Sequence, residues 1–201
     1  MIRQVSNKFV YIDKERFYSA FQLKKAVELL IMAGLVIPVT HSSANGLPLG
    51  AEANPKYRKM LLLDTGIFQR LLGLQLSDIL LNDDFDTINK GGIAEMFVGL
   101  ELLKASSCYQ QPSLYYWQRE VRNARAEVDF VIQHDMDIIP IEVKSGKQGK
   151  MQSMYLFLNE KKSRAGIRTS LENFFSYNKI KVVPLYSIGN VSSTADIFEH
   201  P

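Results

Sequence analysis

Residues 127–144 read EVDFVIQHDMDIIPIEVK and hold the residue types best suited to chemistry. Two runs, Ala126–Ile132 and Ile138–Lys144, alternate apolar and polar residues with the period of a β-strand. In the first, Ala126, Val128, Phe130 and Ile132 are expected on one face, with Glu127, Asp129 and Val131 on the other. In the second, Ile139, Ile141 and Val143 share a face and leave Pro140, Glu142 and Lys144 opposite. A hairpin turning at Asp135-Met136 sets Asp129 directly across from Glu142. Opposed side chains in an antiparallel pair lie about 4.5–5.5 Å apart at Cβ, and like charges there destabilise the sheet. A divalent cation gives two such carboxylates a reason to face each other, because Mg²⁺ takes oxygen ligands and usually one or two carboxylates. Asp129 and Glu142 are therefore the candidate metal ligands, for Mg²⁺ or Mn²⁺. The competing reading is a solvated hairpin face, where an exposed Glu/Lys pair contributes little to stability.

An acidic residue on one strand and Glu-x-Lys on the next resembles the PD-(D/E)xK nuclease superfamily. The resemblance implies that Lys144 orients a water or stabilises the phosphate, while the metal lowers the pKa of that water. Further blocks extend the likeness: MLLLDTGIFQRLLG (60–73), KGGIAEMFVGLELL (90–103), LYYWQRE (114–120), AEVDFVI (126–132) and IPIEVKSGKQGKMQSMYLFL (139–158). Together, over roughly residues 21 to 188, they resemble the C-terminal half of a prokaryotic family of predicted AAA-type ATPases, a region known as domain of unknown function 4143. Members of that family look like a P-loop ATPase, a winged-helix segment and a nuclease-like domain in that order. This chain carries no G-x-x-x-x-G-K-[ST]; the nearest run, Gly146–Met151, has the wrong spacing and no Ser/Thr for Mg²⁺. No ATP site is assigned to it, and the resemblance implies an ATPase module as a partner.

Glu95 is the fourth candidate. It lies in a predicted helix, Asn89–Ala105, with Gly91, Gly92 and Gly99 at i−4, i−3 and i+4 on its side. Glycine costs about 0.8–1.0 kcal/mol per helical position relative to alanine, so three of them beside one carboxylate suggest close approach by another backbone. The alternative is an exposed glutamate favoured by the helix macrodipole. In the resembled superfamily a helical glutamate ahead of the first strand often completes the acidic cluster. Arg119, Arg122 and Arg125 precede the Asp129 strand and offer planar donor forks for a scissile phosphate; a solvated turn explains them equally. Gln148 and Gln152 correspond, by resemblance, to glutamines that point back to the site in some related nucleases.

These candidates need a scaffold. The strand and helix order from Asn89 onward predicts an α/β fold, a restriction-endonuclease-like mixed sheet flanked by helices. Leu114–Trp117, Ala165–Ser170 and Lys179–Ile188 are expected as further strands, and Met151, Met154, Tyr155 and Leu158 as a helix face packed in the core. Upstream, helix Phe21–Ala33 ending at Gly34, strand Leu35–Thr40, loop His41–Tyr57, strand Arg58–Leu63 and a short helix capped by Asp64 read as a small winged-helix-like segment. The domain plan is thus 1–75 for that segment, 76–88 for a polar linker and 89–201 for the nuclease-like domain.

Composition sets outer limits. With 201 residues, 46% hydrophobic and 22% charged, the chain has the make-up of an ordinary globular protein. No run reaches the ~18 apolar residues of a membrane span, and the N-terminus lacks the apolar core of a signal peptide. One cysteine, Cys108, permits no internal disulfide and suits the cytoplasm; it is expected as a small buried hydrophobe. His41, His134 and His200 show no zinc spacing. Net charge is +3, but residues 142–181 hold nine Lys/Arg against three Glu, a stretch able to contact DNA phosphates. Two functions follow: a metal-dependent nuclease acting on DNA, or a non-catalytic module binding nucleic acid or protein on behalf of an ATPase.

Overall fold

Helix ends follow local rules in this chain. In the computed structural model, which describes residues 3–5, 8–10, 19–73, 90–109, 112–119, 126–144 and 151–191, α1 (Ala20–Met32) begins at a reciprocal cap. Gln22 N donates to Ser19 Oγ at 3.2 Å, and Ser19 N donates to Gln22 Oε1 at 2.8 Å. It stops where Gly34 takes φ +71°, with Leu35 N bonded to the Leu30 carbonyl and Gly34 N to that of Ile31. Strands β3 (Val36–Ser42) and β4 (Ala53–Leu62) follow, then α2 (Thr65–Leu71). Asp64 caps α2 by accepting from Gly66 N at 2.8 Å and Ile67 N at 3.0 Å. Further along are α3 (Lys90–Lys104), β5 (Leu114–Gln118), β6 (Glu127–His134), β7 (Asp137–Glu142), α4 (Gln152–Lys161), β8 (Gly166–Ser170), β9 (Phe175–Tyr177) and β10 (Ile180–Pro184). Two three-residue strands near the N-terminus, β1 (Arg3–Val5) and β2 (Lys8–Val10), pair with each other.

One eight-stranded sheet runs β4-β3-β5-β6-β7-β8-β10-β9. It is mixed: β3 is parallel to β5, β7 to β8 and β8 to β10, while the other pairs are antiparallel. The fold is therefore mixed α/β with helices against both faces. Val98 and Leu102 of α3 pack on Val39, Tyr116, Phe130, Ile141 and Ile167. On the opposite face Phe157 of α4 meets Trp117, Val128 and Val131, with the two rings edge-on at 5.1 Å between centroids. Met151, Met154 and Leu158 are core residues, as their spacing indicated, but Tyr155, expected on the same face, is exposed. Among the described residues no helix is long and apolar enough to cross a membrane.

Several details depart from expectation. The hairpin β3–β4 does not stand apart as a wing: β3 pairs with β5 and extends the sheet. Strand β10 ends at Pro184, which cannot donate to the ladder, and a 3-10 turn covers Leu185–Asn190. Cys108 is exposed, because α3 ends at Lys104 and the residue falls in the turn before β5. The expected linker, the run 145–150, and the tail from 192 lie outside the described residues.

A candidate site at a fork between two strands

The expected β6–β7 register is present: Phe130 pairs with Ile141, Ile132 with Ile139 and His134 with Asp137. Continued by one step, it would set Asp129 opposite Glu142. The face assignment along β6 needs correction, however. Tyr115 pairs with Val131 and Trp117 with Val128, so two steps along β5 span three along β6. This bulge at Asp129-Phe130 shifts the parity. Val128 and Val131 face α4, whereas Phe130 and Ile132 turn toward α3, the side on which Glu127 and Asp129 meet Glu95 through a shared lysine. Uninterrupted alternation is the wrong assumption there.

Beyond Phe130 and Ile141 the two strands part. β6 continues to Glu127 paired with Gln118 of β5, and β7 continues to Glu142 paired with Arg168 of β8. In place of a ladder bond, Asp129 Oδ2 accepts from Val143 N at 2.8 Å. Lys144 N donates to Thr169 Oγ1 at 3.0 Å, which fixes the strand end. Lys144 Nζ lies 2.7 Å from Glu142 Oε1. Glu142 is buried, and its Oε2 has no hydrogen-bond partner among the described residues.

Glu95 enters from α3 and is buried. The helix approaches closely, but side chains press on it instead of a second backbone. A Cβ at Gly99 would lie 3.0 Å from the Phe130 ring and nearer still to Leu61, and one at Gly92 would touch Phe68 at 3.8 Å.

The residue that sequence reasoning missed is Lys59. It arises on β4, opposite Val39 of β3, and its side chain is 2% exposed. Its Nζ lies 2.7 Å from Glu127 Oε1, 2.9 Å from Glu95 Oε1 and 3.8 Å from Asp129 Oδ1, over the Tyr116 ring at 5.0 Å. One sign of it was available: Lys59 shares strand parity with buried Leu61.

Electrostatics follow from this crowding. Burial alone would lower the Lys59 pKa, but Glu95, Asp129 and Glu127 outweigh it and hold the ammonium above its usual range. Burial raises Glu95 and Asp129, with Lys59 opposing in both cases. All three shifts are upward, which keeps the Lys59 ammonium charged and disfavours ionisation of Glu95 and Asp129. One cation shared among a buried Glu95 and the part-exposed Asp129 and Glu127 cannot compensate them all, so the protonation of Glu95 and Asp129 belongs to the pair and not to either residue. Glu142 is pushed up to about 7 by burial and then by the Asp129 charge. Four carboxylates (Glu95, Glu127, Asp129, Glu142) and two ammoniums (Lys59, Lys144) leave these six groups at −4 + 2 = −2 when all are ionised.

The donor set suits one hard divalent ion: two carboxylates, one with an unused buried oxygen. Among the described residues no group of three or more His, Cys, Asp and Glu is disposed to hold a metal. Of the other candidates, Arg119 is bound by Glu160 of α4, and Gln152 is exposed at the first turn of that helix. Arg122, Arg125 and Gln148 lie outside the described residues. His41 is buried in β3 with Nε2 3.1 Å from the Gln118 carbonyl.

No curated protein and no solved structure matches the chain. Residues 90–188, which carry Glu95, Asp129, Glu142 and Lys144 but not Lys59, match the family model described as Domain of unknown function (DUF4143).

Proposed function

We propose that the fork between β6 and β7 is a metal-dependent phosphodiesterase site acting on DNA, with Mg²⁺ or Mn²⁺ held by Asp129 and Glu142. The observation that carries this reading is the pairing of an unpartnered, buried Glu142 Oε2 with a lysine at 2.7 Å from the same carboxylate, beside Asp129. A divalent cation there would lower the pKa of an attacking water and offset charge building on the phosphate. The Val143 N–H fixes the Asp129 carboxylate, and Glu142 positions the Lys144 ammonium to hydrogen-bond a phosphate oxygen or the nucleophile. Glu95 acts from behind, by holding Lys59 against Glu127 and Asp129. On this reading the sheet is restriction-endonuclease-like, α1 to α2 is a winged-helix-like segment whose hairpin has been taken into that sheet, and the chain works in the cytoplasm with an AAA-type ATPase module. The nine Lys/Arg between residues 142 and 181 support a polyanionic substrate.

A second reading is favoured by Lys59 itself. An ammonium already lies among three of the four carboxylates, as expected of a scaffold that has given up its metal and serves as a binding module for an ATPase. The discriminating experiment is cleavage of plasmid, single-stranded and branched DNA with Mg²⁺ and with Mn²⁺, comparing wild type with Lys144→Ala. Cleavage lost in the variant supports the nuclease; equal traces on every substrate favour the module.

A further inference from the structure

Helix α1 has 13 residues and buries one of them, Val27. A helix of that length is marginal in water on propensity alone, and packing of an apolar face supplies most of what holds one. Three of its large apolar side chains are instead turned outward: Phe21 is 74%, Leu29 56% and Met32 82% exposed. Phe21, Lys25, Glu28 and Met32 stand at i, i+4, i+7 and i+11 and so form one stripe along the helix. Leu29 flanks the stripe, and Leu35, 44% exposed, lies just beyond the C-terminal end of the helix. At about 200 Å² for a fully exposed side chain of this size, these four apolar residues offer roughly 500 Å². A stable interface buries about 800 Å² on each partner, roughly 56–65% of it apolar, so the face has the area that a dimer needs.

We propose that this face of α1 is a self-association surface, and that its occupant is α1 of a second copy of the chain, packed antiparallel across a two-fold axis. The spacing of the stripe carries the assignment, because steps of four, three and four residues read the same in both directions. An axis midway between Lys25 and Glu28 sets Phe21 against Met32 of the second copy and Lys25 against Glu28 of the second copy. Each contact then occurs twice, as an isologous interface requires. The charges are in place for it. Lys25 is exposed and makes no ion pair among the described residues, while Arg58, 3.2 Å from Glu28, holds that carboxylate at the surface with its side chain 43% exposed. A parallel pairing would set Lys25 against Lys25 and Glu28 against Glu28, like against like, which disfavours it. Helix α1 packs on β3, two strands from β6 in the sheet, so this surface is separate from the fork and the proposal does not depend on the phosphodiesterase reading.

The test is sedimentation equilibrium of the full chain across the micromolar range. Wild type should move from the monomer mass of 22.9 kDa toward twice that value as concentration rises. Met32→Glu, at an exposed position, should stay monomeric while its circular dichroism matches wild type. Lys25→Glu and Glu28→Lys each set like charges together at both symmetric contacts, and each alone should weaken association by about tenfold or more. Mixed in equal amounts, those two variants present opposite charges to each other at both contacts, and the mixture should recover the wild-type dimer. A wild-type monomer at every concentration overturns the proposal, as does a dimer that survives Met32→Glu. A mixture that associates no better than its components overturns the antiparallel pairing. If Glu28→Lys loses its fold along with the Arg58 contact, the folded Met32→Glu variant alone decides.

Discussion

The two lysines of the site do opposite things with the same functional group. Lys59 is buried, contacts three carboxylates and lies over an aromatic ring. Lys144 is one-quarter exposed in its side chain and contacts one carboxylate. The first is integrated into the packing beneath α3; the second stands at a strand end facing the opening of the fork. An ammonium with several carboxylate partners is committed to structure, and one with a single partner and access to solvent is free to serve chemistry.

The contrast is broken most directly at the exposed member. Lys144→Ala should lower divalent-dependent DNA cleavage by about 10²–10⁴-fold, the usual contribution of a positioned proton-transfer group, with little change in the unfolding midpoint. Single-turnover assays and denaturant curves on the same samples check both halves. Lys59→Met should show the reverse priority, a loss of about 3–5 kcal/mol in folding stability, because removing one partner of a buried pair strands the other. A urea unfolding curve matching wild type would refute the structural role.

Glu142 sharpens the comparison through pH. Its carboxyl rises to about 7 in the folded protein against an ordinary value of 4.5, so the folded state binds this proton more tightly than the unfolded chain. Stability from this group is full below pH ~4.5 and is lost as pH climbs toward 7. Glu142→Gln should remove that slope and be more stable than wild type at pH 8, by on the order of 2 kcal/mol. Thermal unfolding across pH 5–8 in chelator gives the answer; parallel curves for the two proteins would count against the raised pKa. The smallest effect belongs to a position remote from both lysines: Asp64→Ala removes the cap of α2 and should cost about 1 kcal/mol, with cleavage unchanged. A drop in activity there would mean that α2, which packs on α3, transmits to the site.

How much of this was legible varied with how local the cause is. The turn at Asp135-Met136, the Asp64 cap and the Glu95 helix follow from neighbours within a few residues. The bulge did leave a trace, three successive apolar residues Phe130-Val131-Ile132 where strict alternation allows none, but such a run also fits a strand buried on both faces. Lys59 was hidden by its surroundings, since Arg58-Lys59 after Lys56 reads as a solvated strand. Its burial depends on β3 lying parallel to β5, a contact spanning seventy-odd residues with no local signature. Cys108 failed for a simpler reason: it lies beyond the helix end, and the general tendency of cysteine to be buried does not hold in an exposed turn.

That β3–β5 contact also separates two ideas of a domain. The family match begins at residue 90, yet the hairpin before it is joined by Val39↔Leu114, Thr40↔Tyr115 and His41↔Tyr116 and supplies a cation to the matched span. A fragment starting at residue 90 would bare one edge of β5, uncover Tyr116 and leave Glu95, Glu127 and Asp129 repelling one another. The inherited module and the cooperative folding unit are different lengths of chain. Any graft of this module into another protein must bring the preceding hairpin, or provide an equivalent positive charge from its new host.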